Sequence, residues 1–438
     1  MTDPALITEF LQAAIWHGSL DRASEMLAAN PELATASIHT AAVVGDDPAV
    51  REFLSRDPAS AGALAPPFDG TPLAYLGLSR FLRLDPNRSE GFLRAAMALL
   101  DAGADPNGGF WNEGEFETPM YGAAGVAHHA PLTRLLLERG ADPNDVEVVY
   151  HSPETDDFAA MALVVETGRV TPENLAVMLI RKHDWHDLEG VRYLLQHGAD
   201  ANGVWNRRSS PLHHAIARDN DLEIIELLVD YGADPTVALG DMTGIARAAH
   251  RGRRDLLELF RKRGFPIELG GVDRLIAACA LDEKERIRTI RQQEPALVAE
   301  LLAQGGRLLA EFAATANDAG VENLLDLGVP IEARYEGDGY FGIAPGSTAL
   351  HVASWRAWHR TVKTLIARGA DVNARDGKAQ SPLMLAINAC VDSYWKYRRK
   401  PDSILALLEA GASPEGIPLP TGYDEADRLI ERRRTGDT

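Results

Sequence analysis

Apolar and polar positions along this chain follow a pattern that recurs many times. A helix-like apolar run ends in two large aliphatic residues, then come two or three polar residues and Gly-Ala-Asp or Gly-Ala-Ser. Apolar residues at helical spacing bury one face of a helix, and a glycine just past the last turn ends it. The pattern therefore predicts a series of short amphipathic helices, each ending within one of the recurring segments at 99–107, 135–144, 194–202, 227–235, 365–373 and 407–415.

Looser copies of the same pattern fill the intervals. Degenerate helix ends occur at 164–172, 260–268 and 324–332, and two-helix patterns occur at 6–34, 39–59 and 273–298. The spacing between neighbouring copies clusters near the ~33 residues of a two-helix structural repeat, with insertions in some copies. Together these copies cover nearly the whole chain, which predicts a repeat array.

A second phrase opens many of the units. It is written TPLAYL, TPMYGA, SPLHHA, TALHVA and SPLMLA, at 71–76, 118–123, 210–215, 348–353 and 381–386. Thr or Ser caps a helix, and Pro is tolerated at its first position because the N–H it lacks has no partner there. The phrase resembles the T-P-L-H-x-A signature of the ankyrin-repeat family.

This resemblance implies the fold class, an all-α repeat. We expect an ankyrin-repeat solenoid of about a dozen helix-turn-helix units with hairpin fingers. The chain is expected to be a single elongated array over 1–438, with degenerate N-terminal repeats at 1–68 and central repeats at 69–268. Degenerate repeats at 269–332 could mark a bend, and C-terminal repeats with a fraying cap occupy 333–438.

Composition narrows the classes of function. The formal net charge is −20, and an acidic field of that size repels phosphate backbones and anionic membrane surfaces. The sequence lacks an apolar run long enough to span a bilayer, and its start does not resemble a signal peptide. We therefore expect no nucleic-acid partner, no membrane partner and a cytoplasmic protein.

Cysteine usage excludes a disulfide framework. Cys279 and Cys390 each lie within an apolar helical pattern, and two such residues cannot build a cysteine-based metal site. Both are expected to be small core residues.

The family resemblance implies a concave groove formed by inner helices and fingers. The residue pairs that end the inner helices are Ala217–Arg218, His250–Arg251 and Trp355–Arg356. One interpretation is an arginine stripe that binds carboxylate or phosphate, since guanidinium meets both groups in a bidentate manner. The other is that arginine is simply a soluble residue at an exposed helix end.

The predicted fingers carry many aromatic residues. Trp111, Trp205, Tyr340 and Phe341 lie in finger loops, and Trp358 follows an inner helix close to Trp355. Aromatic side chains in loops are favoured anchors of protein interfaces. Alternatively, the long fingers fold back and bury these rings against the adjacent finger.

Catalytic and cofactor motifs are weak. The run 337–342 satisfies G-x-G-x-x-G, but it follows a helix end and precedes a turn, so we interpret it as a finger loop. A weak metal or catalytic option remains at 183–186, His-Asp-Trp-His. We expect no catalytic residue, no cofactor and no metal.

The leading hypothesis is therefore a monomeric scaffold that binds a protein partner of unknown identity in the groove. The candidate contact residues are Trp111, Trp205, Arg218, His250, Arg251, Tyr340, Phe341, Trp355, Arg356 and Trp358. The alternative is a small-ligand or enzymatic pocket formed where extended finger loops close over the groove. A purely structural role in a larger assembly is the third option.

Overall fold

The computed structural model describes residues 2–435. These residues form two compact units, divided between Ala233 and Asp234. The sequence predicts one continuous array with a bend at 269–332, whereas the boundary between the compact units lies outside that segment. The bend stays a prediction.

The first unit is a succession of helix pairs with one β-hairpin. Its helices are α1 Pro4–Ala14, α2 Leu20–Ala29, α3 Ile38–Val44, α4 Asp47–Arg56, α5 Pro72–Gly77, α6 Arg80–Leu84, α7 Ser89–Asp101, α8 Ala130–Glu138, α9 Val146–His151, α10 Ala159–Glu166, α11 Pro172–Lys182, α12 Leu188–Gln196, α13 Pro211–Ala217 and α14 Leu222–Asp230. The hairpin pairs β1, Phe110–Asn112, with β2, Glu115–Glu117, in antiparallel register. Short 3-10 turns occupy Pro31–Thr35, Pro58–Gly62, Pro86–Arg88 and His183–Trp185, and a π-helix spans Tyr121–Val126.

The second unit repeats this plan. It begins with a two-residue hairpin, β3 Ala238–Leu239 and β4 Met242–Thr243. Its helices are α15 Gly244–His250, α16 Arg254–Lys262, α17 Gly271–Ala280, α18 Lys284–Gln293, α19 Pro295–Ala303, α20 Gly305–Ala314, α21 Asp318–Leu327, α22 Ala349–Trp355, α23 His359–Ala367, α24 Pro382–Asp392, α25 Asp402–Glu409 and α26 Asp424–Thr435. The all-α repeat prediction is confirmed. Of the predicted fraying cap, α26 is helical, and 436–438 lie outside the described residues.

The predicted helix caps form as the sequence indicates. The Ser210 and Ser381 hydroxyls accept hydrogen bonds from backbone N–H groups three residues on. The Thr348 hydroxyl lies 2.8 Å from Nδ1 of His351, and Nε2 of the same ring is 3.1 Å from the Ala374 and Gln380 carbonyls. One imidazole thus links the start of α22 to the next turn along the chain.

Asparagines connect successive turns. The Asn107 amide nitrogen donates to the Gly140 carbonyl at 3.1 Å, and its oxygen accepts from the Asp142 backbone N–H at 2.8 Å. In the second unit, Asn373 does the same with the Gly411 carbonyl, at 3.2 Å, and the Ser413 N–H, at 2.8 Å. Each amide satisfies one acceptor and one donor of the following turn, and so fixes the register between neighbouring repeats.

Small residues permit close contact where the regular pattern breaks. A Cβ on Gly122, within the π-helix, would lie 2.3 Å from the carbonyl carbon of Gly77. Only glycine allows this approach of two backbones. Both cysteines are buried, as expected. Among the described residues, no helix is both long and apolar enough to cross a bilayer.

We predict that Asn373→Ala lowers the free energy of unfolding by about 1 kcal/mol, because two exposed hydrogen bonds between turns are lost. Urea unfolding followed by circular dichroism measures the change. Asn388→Ala is the matched control, since Asn388 is exposed on α24 and its loss should cost less than about 0.5 kcal/mol. Equal effects of both substitutions would contradict a role for the asparagine links.

Candidate functional site

Six of the predicted contact residues come together in the second unit. The finger loop 333–347 folds back onto the inner helices α20 and α22, held by antiparallel bridges between Tyr335 and Ser347 and between Asp338 and Ile343. The loop thereby brings Tyr340 and Phe341 next to the end of α22. The insertion after α24, residues 393–401, reaches the same place, where Trp395 packs with Phe341. We call this assembly the aromatic cluster; its members are Arg251, Tyr335, Tyr340, Phe341, Trp355, Arg356, Trp358, Trp395 and Arg398.

Arg356 lies at the centre of the aromatic cluster. Its guanidinium carbon is 4.3 Å from the ring centroid of Phe341 and 3.9 Å from that of Trp395. Arg356 is only 2% exposed. A cation enclosed by two π-faces away from water is held more strongly than one on the surface. The arginine therefore joins the finger to the insertion after α24.

A second arginine, Arg398, lies on the insertion itself and contacts two tryptophan rings. The Arg398 guanidinium carbon lies 3.5 Å from the Trp358 ring centroid and 5.2 Å from that of Trp395. The Trp358 indole N–H donates to the Ala314 carbonyl at 2.6 Å. Trp358 is thus fixed between α20 and the insertion.

The finger side of the aromatic cluster has its own ion pair. Nη1 of Arg251 is 2.8 Å from Glu311 Oε2, both residues being buried. The Tyr335 hydroxyl donates to the same carboxylate at 3.5 Å. Burial raises the pKa of the Tyr335 phenol. It therefore stays protonated and keeps this hydrogen bond at neutral pH.

Two of the three helix-end arginines are less exposed than the sequence analysis assumed. Both interpretations of the arginines treated them as solvent-exposed, whereas Arg251 is 9% and Arg356 2% exposed. The reason is that the finger and the insertion cover the ends of the inner helices with aromatic rings. A partner can reach neither guanidinium directly, so the effect of these arginines on binding would be indirect.

Some aromatic residues of the finger are buried and others are exposed, so each of the two interpretations of these rings holds for part of them. Phe341 packs inside the aromatic cluster, whereas Tyr340, its neighbour, is 42% exposed. Trp355 is half-buried and donates its indole N–H to the Phe341 carbonyl at 2.6 Å. On the insertion, Tyr394 and Tyr397 are exposed. We call Tyr340, Trp355, Tyr394 and Tyr397 the aromatic surface.

A cavity of about 240 Å3 opens beside Trp355. It lies where α22, α24, the finger and the turn before α26 meet. Its lining residues are Gly342, Trp355, Gln380, Leu385, Asn388, Val391, Asp392 and Thr421.

Four predicted contact residues are not members of the aromatic cluster. Three of them, Trp111, Trp205 and Arg218, belong to the first unit. Trp111 projects from β1, is 69% exposed, and has its ring 5.2 Å from that of Phe116. Trp205 is half-buried, 5.7 Å from Tyr150. In the second unit, His250 lies at the end of α15, where its Nε2 is 2.7 Å from Asp273.

Arg218 belongs to an ion-pair network centred on Asp184. The Arg218 Nε is 2.6 Å, His214 Nε2 2.8 Å and Arg181 Nη1 2.5 Å from the Asp184 carboxylate. These charged and hydrogen-bonding partners outweigh burial and lower the pKa of Asp184 to about 2. The weak metal option at 183–186 gains no ligand set, since within 2–435 no three His, Cys, Asp or Glu side chains are placed to share an ion.

A larger cavity of about 520 Å3 lies beside the hairpin of the first unit. Its wall includes His17, Arg22, Asn112 and Glu113. The His17 Nε2 is 2.5 Å from the buried carboxylate of Glu117, which also accepts from the Asn112 amide at 3.0 Å.

Sequence reasoning missed several residues of the second unit. Glu311, Asn388, Asp392 and Arg398 were not singled out, because each is an ordinary polar residue. Glu311 and Arg398 contact Arg251 and Trp358, which are distant in sequence, and Asn388 and Asp392 line a cavity that forms only in the folded unit. One signal was available: Leu385, Asn388 and Asp392 recur at helical spacing on one face of the predicted inner helix.

The repeat segments of the chain are similar to those of known proteins. Residues 155–238 match the family described as "Ankyrin repeats (3 copies)", and residues 345–377 match "Ankyrin repeat". The chain is 26% identical over 328 residues to the ankyrin repeat domain-containing protein SAT10 of Stachybotrys chartarum, covering 71% of this chain and 14% of that protein. It is 46% identical over 54 residues to human BCL-6 corepressor-like protein 1, covering 12% of this chain and 3% of that protein.

The chain thus spans a small part of the curated relatives it matches. Among solved structures, it is similar to the human ASB11 ankyrin repeat domain, with 20% identity and a TM-score of 0.25, covering 68% of this chain and 99% of that one.

We predict that Arg356→Met destabilises the second unit by about 2 kcal/mol, since a desolvated cation between two rings is lost while the apolar volume is kept. Tryptophan fluorescence during urea unfolding measures this. Arg360→Met is the control, because the Arg360 side chain is 88% exposed in its ion pair with Asp318 and such pairs contribute little. If both variants unfold at the same urea concentration, Arg356 does not stabilise the cluster.

A pH dependence follows from His183. Complete burial lowers the pKa of this imidazole from 6.5 to about 3. The folded pKa is the lower one, so the stabilisation is complete above pH 6.5 and is lost as the pH falls towards 3. We predict a loss of up to about 1.4 kcal/mol per pH unit in that window. His183→Gln should remove this dependence, measured as the midpoint of urea unfolding against pH; equal slopes for both proteins would refute the assignment.

Proposed function

The chain belongs to the ankyrin-repeat family, and we propose that its second unit binds a partner protein through the aromatic surface. Ankyrin repeats are generally protein–protein interaction modules. No membrane-spanning helix occurs among the described residues, and we retain the sequence expectation of a cytoplasmic monomer.

The observation that carries the proposal is the arginine between two rings. Arg356 joins Phe341 of the finger to Trp395 of the insertion, and an exposed tyrosine adjoins each of these rings. Tyr340 lies 4.8 Å from Phe341, and Tyr394 lies 5.8 Å from Trp395, as ring centroids. Two loops that would otherwise be separate thus present aromatic side chains on one supported surface.

Rigid aromatic groups favour binding for an energetic reason. Tyrosine and tryptophan supply a large contact area with few rotatable bonds, so they lose little conformational entropy when a partner covers them. Support from beneath reduces the ordering cost further. This is the arrangement expected of interface residues that contribute most of a binding energy.

The experiment is affinity capture from the native lysate, with three baits. Wild type is compared with the double variant Tyr340→Ser, Tyr394→Ser and with Trp111→Ser, which removes an exposed aromatic residue of the first unit. We predict that a protein retained by wild type and by Trp111→Ser binds the double variant at least about tenfold more weakly. Thermal unfolding shows whether each bait is folded.

Two results would count against the proposal. One is a partner that binds the double variant as well as it binds wild type. The other is a partner lost with Trp111→Ser alone, which would move the interface to the first unit.

A second candidate function is favoured by the cavity of about 520 Å3 beside the hairpin. Its size falls within the roughly 300–1,000 Å3 of small-molecule sites. Polar groups of His17, Asn112 and Glu113 face it, so it would take a polar small molecule. A thermal-shift screen of metabolites against wild type and Asn112→Ala tests this; a compound that stabilises only wild type would establish the site.

A further inference from the structure

The cavity of about 240 Å3 beside Trp355 has a composition that points to one class of occupant. It is smaller than the roughly 300 Å3 at which sites for whole drug-sized molecules begin. It therefore has room for a single side chain of a larger partner. Its walls are apolar at Trp355, Leu385 and Val391, and polar elsewhere.

One face of α24 supplies part of the cavity wall, including two of its polar residues. Leu385, Asn388 and Asp392 are spaced at i, i+3 and i+7, so they lie along the same side of the helix. Asp392 is the charged residue among the described lining residues, and it is exposed. Within 2–435, neither the Asp392 carboxylate nor the Asn388 amide has a hydrogen-bond or ion-pair partner in the structure. Both groups can therefore accept a hydrogen bond from outside the chain.

The position of Asp392 strengthens its attraction for a cation. It is the last residue of α24, an eleven-residue helix. The C-terminal end of a helix carries partial negative charge from carbonyls without intrahelical partners. Carboxylate and helix end thus act in the same direction, within a chain whose formal net charge is −20.

Trp355 provides the opposite wall in a fixed orientation. Its indole N–H is bonded to the Phe341 carbonyl, and the finger backbone lies against its six-membered ring, since a Cβ on Gly342 would be 3.8 Å from Trp355 Cζ2. An indole held in this way offers a π-surface to an aliphatic stem or to a cationic head.

We propose that the cavity bounded by Trp355, Asn388 and Asp392 binds a lysine or arginine side chain of the partner protein. The proposal rests on the function proposed above and specifies the chemistry of its ligand. The methylene groups of the side chain would pack on Leu385 and Trp355. Its charged head would meet Asp392 and the Asn388 amide oxygen, at the end of α24.

The test uses the full chain labelled with 5-fluorotryptophan and observed by fluorine NMR. Seven tryptophans give seven resonances, and Trp355→Phe identifies the one that belongs to Trp355. The probes are Nα-acetyl-arginine methylamide, its lysine counterpart and its norleucine counterpart. Norleucine keeps an unbranched aliphatic stem and carries no charge.

We expect the arginine or lysine compound to shift the Trp355 resonance in a saturable way, with at least fivefold weaker binding of norleucine. Asp392→Asn should weaken binding of the basic compound at least tenfold. Glu409→Gln changes the net charge equally at an exposed position on α25 outside the cavity, and should alter binding less than twofold.

Three results would overturn the inference: equal binding of norleucine, undiminished binding by Asp392→Asn, or no movement of the Trp355 resonance with any probe. The capture experiment separates this failure from that of the proposed function. A partner that survives Asp392→Asn but is lost with Tyr340→Ser, Tyr394→Ser overturns the cationic ligand and leaves the interface standing. A partner indifferent to the tyrosines overturns the proposed function itself.

Discussion

The structure of each unit depends on the registration of one helix pair against the next. A single pair exposes apolar surface that it cannot bury alone, so its stability comes from its neighbours. The asparagine links fix that registration from outside the core, since Asn107 and Asn373 each bond a carbonyl and an N–H of the following turn. His351 adds a similar link from within. Within each unit, the ends of the inner helices consequently take defined positions relative to one another.

The aromatic cluster depends on the placement of these helix ends. Arg356 and Arg251 occur at equivalent helix ends, and the finger and the insertion cover them with rings. A charged group is costly to bury unless it is paired, and here Glu311 and the π-faces of Phe341 and Trp395 provide the pairing. The result is a polar core beneath an aromatic surface, which gives two loops a common position.

Much of the fold was predictable because its signals are local. A Ser or Thr cap before Pro, an apolar helical face and a terminal glycine act within a few residues, so the sequence specifies them directly. The site was less predictable because its contacts are not local. Arg356 was identified as a helix-end residue, but its burial depends on Phe341 and Trp395, in segments whose conformations the sequence pattern does not encode. Asp392 was not predicted either, since the cavity that it lines together with Trp355 forms only where two helices distant in sequence meet.

The finger at 333–347 and the insertion after α24 carry the exposed tyrosines beside the buried rings of Phe341 and Trp395. Changes at exposed loop positions usually alter stability by less than about 0.5 kcal/mol. Tyr340, Tyr394 and Tyr397 can therefore be randomised together in a display library while Arg356 and its two rings are kept. Such a library would sample new binding specificities on an unchanged scaffold, which makes this unit a starting point for engineered recognition proteins.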